Sequence, residues 1–595
     1  MSGADDKVPA FPGAEGAGAF TTGGRGGSVY RVTNLNADGP GSLADAVSQP
    51  HRIVVFTVSG VIDLTKSKDG RPKKGGKIVV DQPHITIAGQ TAPGEGICLK
   101  GGSLRIEAGQ VIVRHIRSRR GFVTIGDSGD AIGAKPAENA SGNGTKKRAG
   151  INQETLERIK EKKAERGKTM KSYADIAHVV LDHCSASWAT DENLTCTHPN
   201  HSTVQWCIAS EGLDYENPKQ TPPRHSEGSL WGVAAAEGRA TMHHTLYAHN
   251  RLRNPRTTGG DMPPPLLTFY NNVIYNWLEY ATHTGHDAVH VHSLHNYYKP
   301  GPSTQPQARR VMFQFHGDAR TRLYATGNVV EGFPETASDN ARAIGYGHKA
   351  VKLSAAEKSA MISARPLGEL PPRMQTAREA FEATLAEAGA TLPARDAVDL
   401  RIVNDVRHGT GRVIEKETDL PPDQRWPDYR SLPAPTDSDG DGLPDFWEKQ
   451  FGLDPTDAGD SAKIAGAGYA NIEHYFNNTD PTDGSKPIVF IAATVSRALP
   501  KRNQAGEWRV TRSGDLKSPL TVSYAVGGNA VSGKDYEPLS GIVTIPANAA
   551  SATIKLSPTK EATDDTMVVI TLDSAKPDYH IGCPSASLIV IRNQP

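Results

Sequence analysis

The feature that most constrains this chain is a series of short apolar segments between about residues 10 and 335, each ending in Gly, Asn, Asp or Pro. Each segment has the length of one β-strand, and turn residues at the ends are typical of strands. Examples are "RIVVFTVSGVIDL", "QVIVRHIRSR", "HVVLDHCSAS", "TMHHTLYAHN" and "LTFYNNVIYNW". The 59 glycines and 41 prolines also favour strands joined by tight turns. We therefore expect a mainly β fold.

Aligning the centres of these segments places six polar or aromatic residues in one column. They are His183, Trp206, His244, Asn272, Asn296 and Asn328, at spacings of 23, 38, 28, 24 and 32 residues. The shorter spacings fit one coil of a parallel β-helix, and the longer ones indicate coils with loop insertions. Asn and His suit a stacked turn position. Cys184 and Cys207 follow the column, so we expect stacked core thiols rather than a disulfide.

Length and charge limit the classes of partner. A chain of 595 residues is too long for one ordinary core, which favours a solenoid with appended modules. Lys+Arg 66 balances Asp+Glu 66, which argues against nucleic acid or an anionic membrane surface as partner. No apolar run reaches the roughly 18 residues that a membrane span needs, and we expect a monomer. The first residues lack a signal-peptide pattern, so a secretory leader is either absent or already removed.

Changes in composition predict four parts of the chain. Residues 8–335 are expected to form the β-helix, and 336–435 a helical and extended connection that includes the Pro-rich "LPPDQRWPDYRSLPAPT". Residues 436–483 contain a calcium-loop motif, and 484–595 alternate apolar and polar residues like a β-sandwich. Within the first part, "KKRAGINQETLERIKEKKAERGKTMKSYAD" predicts a solvated helical insertion, with a basic lid over an acidic ligand as the alternative.

The calcium-loop motif is "DSDGDGLPDFWE". Its acidic residues and glycine occupy positions 1, 3, 5, 6, 9 and 12 of an EF-hand loop, where alternate oxygens surround a hard cation. The predicted calcium ligands are Asp437, Asp439, Asp441, Asp445 and Glu448. A second segment, "KIAGAGYANIEHYF", has the cadence of a partner loop but lacks its leading carboxylates, so we assign no ion to it.

The last 110 residues or so resemble the Calx-beta module, most clearly in "LTVSYAVGGNAVSGKDYEPLSGIVTIPANAASATIKL". Members of that family often bind calcium at their loop ends. Here Lys560 interrupts the acidic stretch "TKEATDDTMVV", so we expect a spacer or adhesion role.

The first part resembles the pectate-lyase-like, right-handed parallel β-helix of polysaccharide lyase family one. The resemblance runs from "AFPGAEGAGAFTTGGRGGSVYRVTNLNADGPGSL" through "HITIAGQTAPGEGICLKGG", "VVLDHCSASWATDENL" and "RNPR" to "NYYKPGP". It implies a secreted or cell-surface or periplasmic lyase that cleaves a pectate-like polyuronate by calcium-assisted β-elimination. The expected fold is thus a right-handed parallel β-helix, a small calcium-loop segment and a C-terminal β-sandwich.

The chemistry explains why such an enzyme needs these residue types. β-Elimination removes the proton on the carbon beside a carboxylate, and that proton becomes acidic only when the charge of the carboxylate is neutralised. Ca²⁺ and fixed guanidinium groups supply that neutralisation, and a nearby base takes the proton. An acidic polysaccharide is therefore the expected partner.

The resemblance also implies roles for particular residues. An arginine that opens an R-x-P motif acts as the base and falls on Arg253, and the following substrate-binding arginine falls on Arg256. The acidic positions of the calcium motif fall on Asp130 and Asp191. Asp127 and Glu192 lie nearby as reserves, and Arg251 and Asp182 are expected to be structural.

Two positions depart from the family pattern. Glu227 stands where members commonly carry a substrate-binding lysine, and Thr195 stands where many have a second aspartate. A carboxylate beside an anionic sugar is repulsive unless a cation intervenes. The cations that could replace the missing charge are Arg224, Arg117, Arg119 and Arg120, of which we select Arg224 and Arg120 as substrate-binding candidates.

The His-rich stretch "ATHTGHDAVHVHSLHNYYK" raises the alternative of a zinc site. Its spacing matches neither HExxH nor a zinc finger, and strand alternation would separate its members, so groove contacts or turn ladders are expected instead. Two other functions stay open: a non-catalytic carbohydrate-binding or adhesive β-helix, and a β-helix glycoside hydrolase, which needs paired carboxylates flanking one bond.

Overall fold

The structure is a computed structural model, and it describes residues 8–66, 75–123, 128–136, 176–218, 223–260, 262–482, 484, 486–573 and 578–593. The helical insertion that we predicted at 146–175 lies outside these residues. None of the described helices is long and apolar enough to cross a membrane.

Short strands dominate the first 346 residues, as the apolar segments between turn residues predict. In chain order they are β1 (Ser28–Val32), β2 (Arg52–Phe56), β3 (Gly60–Asp63), β4 (Gly76–Val80), β5 (Ile85–Ala88), β6 (Ile97–Lys100), β7 (Gly102–Ile106), β8 (Val111–Arg114), β9 (Ile116–Arg119), β10 (Ile132–Ala134), β11 (Val179–Asp182), β12 (Ser185–Ser187), β13 (Leu194–His198), β14 (Ser202–Gln205), β15 (Ile208–Ser210), β16 (Leu230–Val233), β17 (Arg239–His243), β18 (Leu246–Ala248), β19 (Arg256–Thr258), β20 (Leu266–Tyr270), β21 (Val273–Tyr275), β22 (Thr282–Thr284), β23 (His290–Leu294), β24 (Tyr297–Lys299), β25 (Phe313–Phe315), β26 (Arg322–Thr326), β27 (Val329–Val330) and β28 (Ile344–Tyr346).

These strands form three parallel sheets, and the chain visits sheet 1, sheet 2 and sheet 3 in turn on each coil. Sheet 1 has the order β1-β2-β5-β8-β11-β14-β17-β20-β23-β26, sheet 2 β3-β6-β9-β12-β15-β18-β21-β24-β27, and sheet 3 β4-β7-β10-β13-β16-β19-β22-β25-β28. This is a right-handed parallel β-helix, the predicted fold class. Sheet 3 continues to β28, which lies beyond residue 335, where we expected the β-helix to end.

The interior of the β-helix is built from apolar side chains stacked in register. On sheet 1, Val113, Leu181, Val204, Met242 and Phe269 occupy equivalent positions of successive coils, and all are fully buried. Each such side chain contributes about 1.5–3 kcal/mol relative to exposure, so the stack fixes the register of the coils. Residues on the turns are therefore carried in fixed order along the axis.

The residues that we predicted to form one polar column belong to two columns, which are offset by one residue along the chain. His183, Trp206 and His244 occupy the left-handed bend, and their rings stack. The bend positions of the next coils are Asn271 and His295, because sheet 1 pairs His243 with Tyr270 and Tyr270 with Leu294. Our alignment of Asn272, Asn296 and Asn328 with His244 was therefore wrong by one residue.

The asparagines form their own ladder one position after the bend. The Oδ1 of Asn272 accepts the backbone N–H of Thr245, and the Oδ1 atoms of Asn296 and Asn328 accept the N–H of the preceding asparagine, all at 2.9 Å. Cys184 and Cys207 precede Thr245 in this inner column, and both are buried free thiols. The expectation of stacked thiols is confirmed.

Among the described residues helices are few, and all but α1 lie outside the β-helix core, to which Leu43 and Ala46 of α1 belong. They are α1 (Leu43–Ala46), α2 (Glu335–Ser338), α3 (Ala355–Ala360), α4 (Ala377–Glu387), α5 (Ala397–His408), α6 (Asp445–Phe451) and α7 (Asn471–Asn477). Helix α4 is the one predicted from "MQTAREAFEATLAEAGA", and its Leu385 packs against the outer face of sheet 2 at Leu246 and Val273. The Pro-rich connection is docked rather than free, because buried Tyr429 donates a hydrogen bond to Asp396.

The C-terminal region folds as two sheets around a separate core. Its strands are β29 (Ile488–Val495), β30 (Arg497–Ala498), β31 (Gly506–Arg512), β32 (Leu520–Gly528), β33 (Ile542–Ile545), β34 (Ser551–Leu556), β35 (Thr566–Leu572), β36 (His580–Ile581) and β37 (Ala586–Ile591). The sheet orders are β34-β31-β29-β36 and β30-β37-β35-β32-β33. Trp508 of one sheet and Ile570 of the other share one apolar cluster, which makes this region a β-sandwich.

Candidate active site

The candidate site lies where consecutive coils enter sheet 3. Glu192, Glu227 and Leu252 are in parallel register just before β13, β16 and β19. Asp130 holds the corresponding place before β10, because the N–H of Ala131 bonds to the carbonyl of Glu192. The stacked coils therefore carry the predicted site residues Asp130, Asp191, Arg253 and Arg256 to one edge of one sheet, together with Glu192 and Glu227.

Three acidic side chains converge there. Asp130, Asp191 and Glu192 each offer a carboxylate oxygen, and these oxygens all lie within 4.8 Å of one another. Asp130 and Glu192 are buried, and the Nζ of Lys135 lies 2.5 Å from Oδ2 of Asp130. Carboxylate oxygens are the ligands that Ca²⁺ prefers, so the residues fit that ion. Asp127, the other reserve, lies outside the described residues.

Arg253 is held between two glutamates of neighbouring coils. Its Nη1 pairs with Oε1 of Glu192 and with Oε2 of Glu227. The backbone of Arg253 has φ 60°, a left-handed conformation that long side chains rarely adopt, and its carbonyl accepts the N–H of Ser229 at 2.7 Å. The cation beside Glu227 is thus Arg253, whereas from the sequence we named Arg224, Arg117, Arg119 and Arg120 as sources of the missing charge.

The two arginines differ in their electrostatic surroundings. Burial lowers the pKa of Arg253, but Glu192 and Glu227 outweigh it and hold that pKa above its ordinary value. For Arg256, burial and then the charge of Arg253 lower the pKa. Arg256 therefore releases a proton more readily than Arg253 in this arrangement.

Glu227 is nine-tenths buried or more, and burial raises its pKa well above the ordinary value despite the attraction of Arg253. Glu192 and Asp191 add to the effect, since a second negative charge nearby disfavours ionisation. The carboxylates at this edge thus compete with each other for cations.

The other arginines that the sequence singled out have partners elsewhere. Arg120 is buried and donates to the Oγ of Ser103 at 2.8 Å, and that hydroxyl in turn donates to the carbonyl of Asp130 at 2.6 Å. The Ser103 side chain therefore connects Arg120 with the backbone of Asp130, one member of the acidic group. Arg224 pairs with Glu415 at 2.8 Å and donates to the carbonyl of Asp214 at 2.7 Å.

Three further arginines are structural. Arg251 pairs with Asp214 and Glu279 of the neighbouring coils, which fits the structural role that we expected for it. Arg117 and Arg119 are fully buried on sheet 2, where Asp396 binds both guanidinium groups. Neither of the last two can replace the charge of a substrate-binding lysine.

The His-rich stretch is divided between sheets. His283 on β22 lies in register with Arg256 and contacts His316 with ring centroids 4.7 Å apart, whereas His290 and His292 belong to β23 of sheet 1. Among the described residues, the groups close enough to bind a metal include none of the five histidines, which are His283, His286, His290, His292 and His295. His295 occupies a left-handed bend of the turn ladder, and His283 lies beside Arg256 at the candidate site.

The calcium-loop motif forms a second acidic group at the start of α6. Carboxylate oxygens of Asp437, Asp439 and Asp441 lie within 4.8 Å of one another. The same holds for carboxylate oxygens of Asp441, Glu448 and Asp460. Asp445 instead accepts the backbone N–H of Ser438 at 2.8 Å, with its other oxygen 2.9 Å from the Ser438 hydroxyl. Sequence reasoning missed Asp460, because it lies outside the loop motif at a spacing that no motif defines.

These features define a parallel β-helix protein with carboxylate and guanidinium groups at one edge of a sheet. No family model matches the chain. The chain is 33% identical over 482 residues to "Probable pectate lyase C" of Aspergillus terreus. The matched region covers 80% of this chain and 94% of that protein. The namesake of Aspergillus flavus is 32% identical over 481 residues, with the same coverage. The chain belongs to the pectate lyase family, a family of polysaccharide lyases.

Solved structures give looser matches. A cedar pollen allergen, Jun a 1, is 14% identical and covers 63% of this chain and 92% of its own, with a TM-score of 0.41. A structure described as a pectate lyase with an anti β-elimination mechanism is 15% identical and covers 65% of this chain and 99% of its own, with a TM-score of 0.39.

Proposed function

We propose that this protein is a calcium-dependent lyase that cleaves a pectate-like polyuronate by β-elimination. Membership of the pectate lyase family supports the reaction class. The observation that carries the proposal for this chain is the grouping of Asp130, Asp191 and Glu192 with Arg253 at one edge of sheet 3. A metal-binding acidic group next to guanidinium is what the abstraction of a proton beside a sugar carboxylate requires.

Asp130, Asp191 and Glu192 would hold the calcium ion. When bound there, the ion supplies charge neutralisation for the uronate carboxylate. Lys135 and Arg253 neutralise the same acids in the protein itself, so they keep buried carboxylates tolerable when the cation concentration is low.

Arg253 and Arg256 would provide the base and the substrate contact. Family resemblance gives the base to Arg253, whose guanidinium is fixed by two carboxylates. Arg256 opens β19 on the same coil and has the lowered pKa. A proton acceptor must lose its own proton first, so this lowered pKa supports Arg256 as the second candidate for the base. Turnover of matched lysine variants at the two positions distinguishes the assignments.

Arg120 and Arg224 are proposed as further substrate contacts. Arg120 is the stronger candidate, because Ser103 connects it with Asp130. Arg224 is engaged by Glu415, so it must exchange that partner for a uronate to act in binding.

The remaining parts are proposed as accessories of a secreted, monomeric enzyme. We assign 8–346 to the lyase domain, 347–435 to the connection, 436–483 to an EF-hand-like segment and 484–595 to a Calx-beta-like module that acts as spacer or adhesion module. In the EF-hand-like segment, Asp437, Asp439, Asp441, Asp445 and Glu448 would bind calcium.

One assay tests the proposed reaction. The protein is incubated with polygalacturonate and calcium, and ultraviolet absorbance is followed together with the number of reducing ends. A lyase produces absorbing unsaturated ends. New reducing ends without absorbance would show a glycoside hydrolase, and retention of the polymer without either product would show a binding protein.

A further inference from the structure

A second cation site is completed by a residue outside the calcium-loop motif. Asp441 of the loop, Glu448 of α6 and Asp460 of the following segment converge with their oxygens within 4.8 Å of one another. All three are at most 6% exposed. The backbone N–H of Ser461 bonds to Oδ2 of Asp441 at 3.1 Å, which fixes the segment that carries Asp460 against the loop.

Glu448 is the observation that points to a ligand. It is fully buried, and neither of its carboxylate oxygens has a hydrogen-bond partner. Oδ1 of Asp460 and Oδ2 of Asp439 are buried and unpartnered as well. Within the described parts of the chain, no lysine or arginine lies at salt-bridge distance from Glu448 or Asp460. Buried carboxylates without a partner are strongly unfavourable, so the arrangement calls for a cation.

We propose that Asp460 is a calcium ligand, and that the ion it shares with Asp441 and Glu448 fastens the C-terminal part of the chain to the β-helix. Six or more oxygens at 2.3–2.6 Å suit Ca²⁺. The oxygens of Asp441, Glu448 and Asp460 form one acidic group, and those of Asp437 and Asp439 form a second group with Asp441. Carboxylate oxygens alone suit a hard divalent cation better than zinc or copper.

The position of the site explains the fastening role. Asp437 accepts a hydrogen bond from Arg31 of β1 at 2.8 Å. Behind the loop, Trp447 of α6 and Ile472 of α7 belong to one apolar cluster with Ile53 and Val55 of β2. The loop and its helix thus rest on the outer face of the first coils.

The opposite side of α6 contacts the sandwich. Gln450 donates to the carbonyl of Ile581 at 3.0 Å and accepts its N–H at 2.8 Å. An ion that fixes Glu448 in the middle of α6 therefore stabilises contacts to the β-helix and to the sandwich together. This inference is independent of the proposed lyase activity.

The test compares Asp460→Asn with Asp457→Asn in the full chain. Asp457 is a matched control, since it lies three residues away, is exposed and pairs with Lys463 outside the acidic group. Terbium serves as the probe, because Trp447 is adjacent to Glu448 and can sensitise its luminescence. We expect Asp460→Asn to weaken terbium binding at the Trp447-sensitised site at least tenfold and Asp457→Asn to leave it unchanged. Equal binding by the two variants would overturn the proposal.

Thermal unfolding gives a readout that a purely structural role would not produce. Asp460→Asn removes a buried unpaired charge, so its melting temperature in chelator should equal or exceed that of the wild type. In calcium it should fall below the wild type, because the ion has lost a ligand. A melting temperature lowered equally in chelator and in calcium would contradict ligation. Lyase turnover at saturating calcium should be unchanged in both variants, so failure of the proposed reaction is recognised separately.

Discussion

The two acidic groups of this protein differ in how their charges are balanced. At the edge of sheet 3, Lys135 pairs with Asp130, and Arg253 pairs with Glu192. At the calcium loop, Glu448 and Asp460 have no cationic partner among the described residues. The protein thus supplies its own cations at the proposed lyase site, whereas Glu448 and Asp460 form no salt bridge within the described residues at the proposed structural calcium site.

The comparison implies different consequences of losing calcium. The group at sheet 3 stays neutralised by Lys135 and Arg253, so we expect its loss of calcium to stop turnover with little effect on the fold. At the loop, Arg31 pairs with Asp437 but not with Glu448 or Asp460, so loss of the ion exposes these two carboxylates to mutual repulsion. The following predictions test this division.

The largest expected effect is on turnover. Arg253→Lys keeps the positive charge but replaces the guanidinium that pairs with Glu192 and Glu227 by a compact ammonium group. We expect kcat to fall by about 10²–10⁴-fold, the usual contribution of a positioned proton-transfer group. Arg320→Lys is the control, since Arg320 is exposed and pairs with its neighbour Asp318. Wild-type turnover in Arg253→Lys would refute the assignment.

The second effect concerns the loop alone. Glu448→Gln removes the buried carboxylate of α6, so calcium should raise the melting temperature much less than in the wild type, by the contribution of the sheet 3 ion alone. At 100 times its Kd, a lost ion removes about 2.7 kcal/mol of stabilisation. Turnover at saturating calcium should stay within about twofold of the wild type. Loss of turnover together with the thermal response would show that the two groups are not separate.

A smaller effect is expected on the calcium requirement of turnover, when the acidic group at sheet 3 loses its lysine and so becomes more like the group at the calcium loop. Lys135→Met removes the cation beside Asp130, and calcium then has no ammonium group to displace. We expect the calcium concentration for half-maximal turnover to fall by roughly tenfold, since one unit charge a few ångströms away is worth on the order of 1–4 kcal/mol. An unchanged or higher requirement would show that Lys135 does not compete with the ion.

The smallest effect is a pH dependence of stability in chelator. Burial and then the charge of Asp439 raise the pKa of Glu448 to about 8, against an ordinary value of 4.5. Between these values the folded protein binds a proton that the unfolded chain has released, so stability is highest below pH 4.5 and is lost as the pH rises towards about 8. Denaturant midpoints at pH 5 and pH 8 measure this slope, and Glu448→Gln should flatten it.

The sequence predicts the architecture well and the contacts of the site only in part. Strand length and turn residues are local properties, so the β-helix, the sandwich and helix α4 are confirmed. The one-residue offset of Asn272 has a physical cause: Asn271 and Asn272 are both asparagines, and either type can occupy a left-handed bend. Only pairing with neighbouring coils decides between them.

The site residues show the same limit. The sequence identifies Asp130, Asp191, Arg253 and Arg256 as candidates, because they fall on the calcium and R-x-P motifs of the family that it resembles. The pairing of Glu227 with Arg253 depends on which coils are neighbours, and so does the approach of Asp460 to Glu448. Contacts between residues far apart in sequence are set by the register of the coils, which local patterns do not specify.

The most direct test of the account is a crystal structure determined with calcium and an oligogalacturonate, using the Arg253→Lys variant to prevent turnover. We predict one calcium ion bound by Asp130, Asp191 and Glu192 in contact with a sugar carboxylate, and another at Asp441, Glu448 and Asp460 without sugar. An oligosaccharide bound away from Asp130 and Asp191, or a loop ion that contacts the sugar, would contradict the division of roles proposed here.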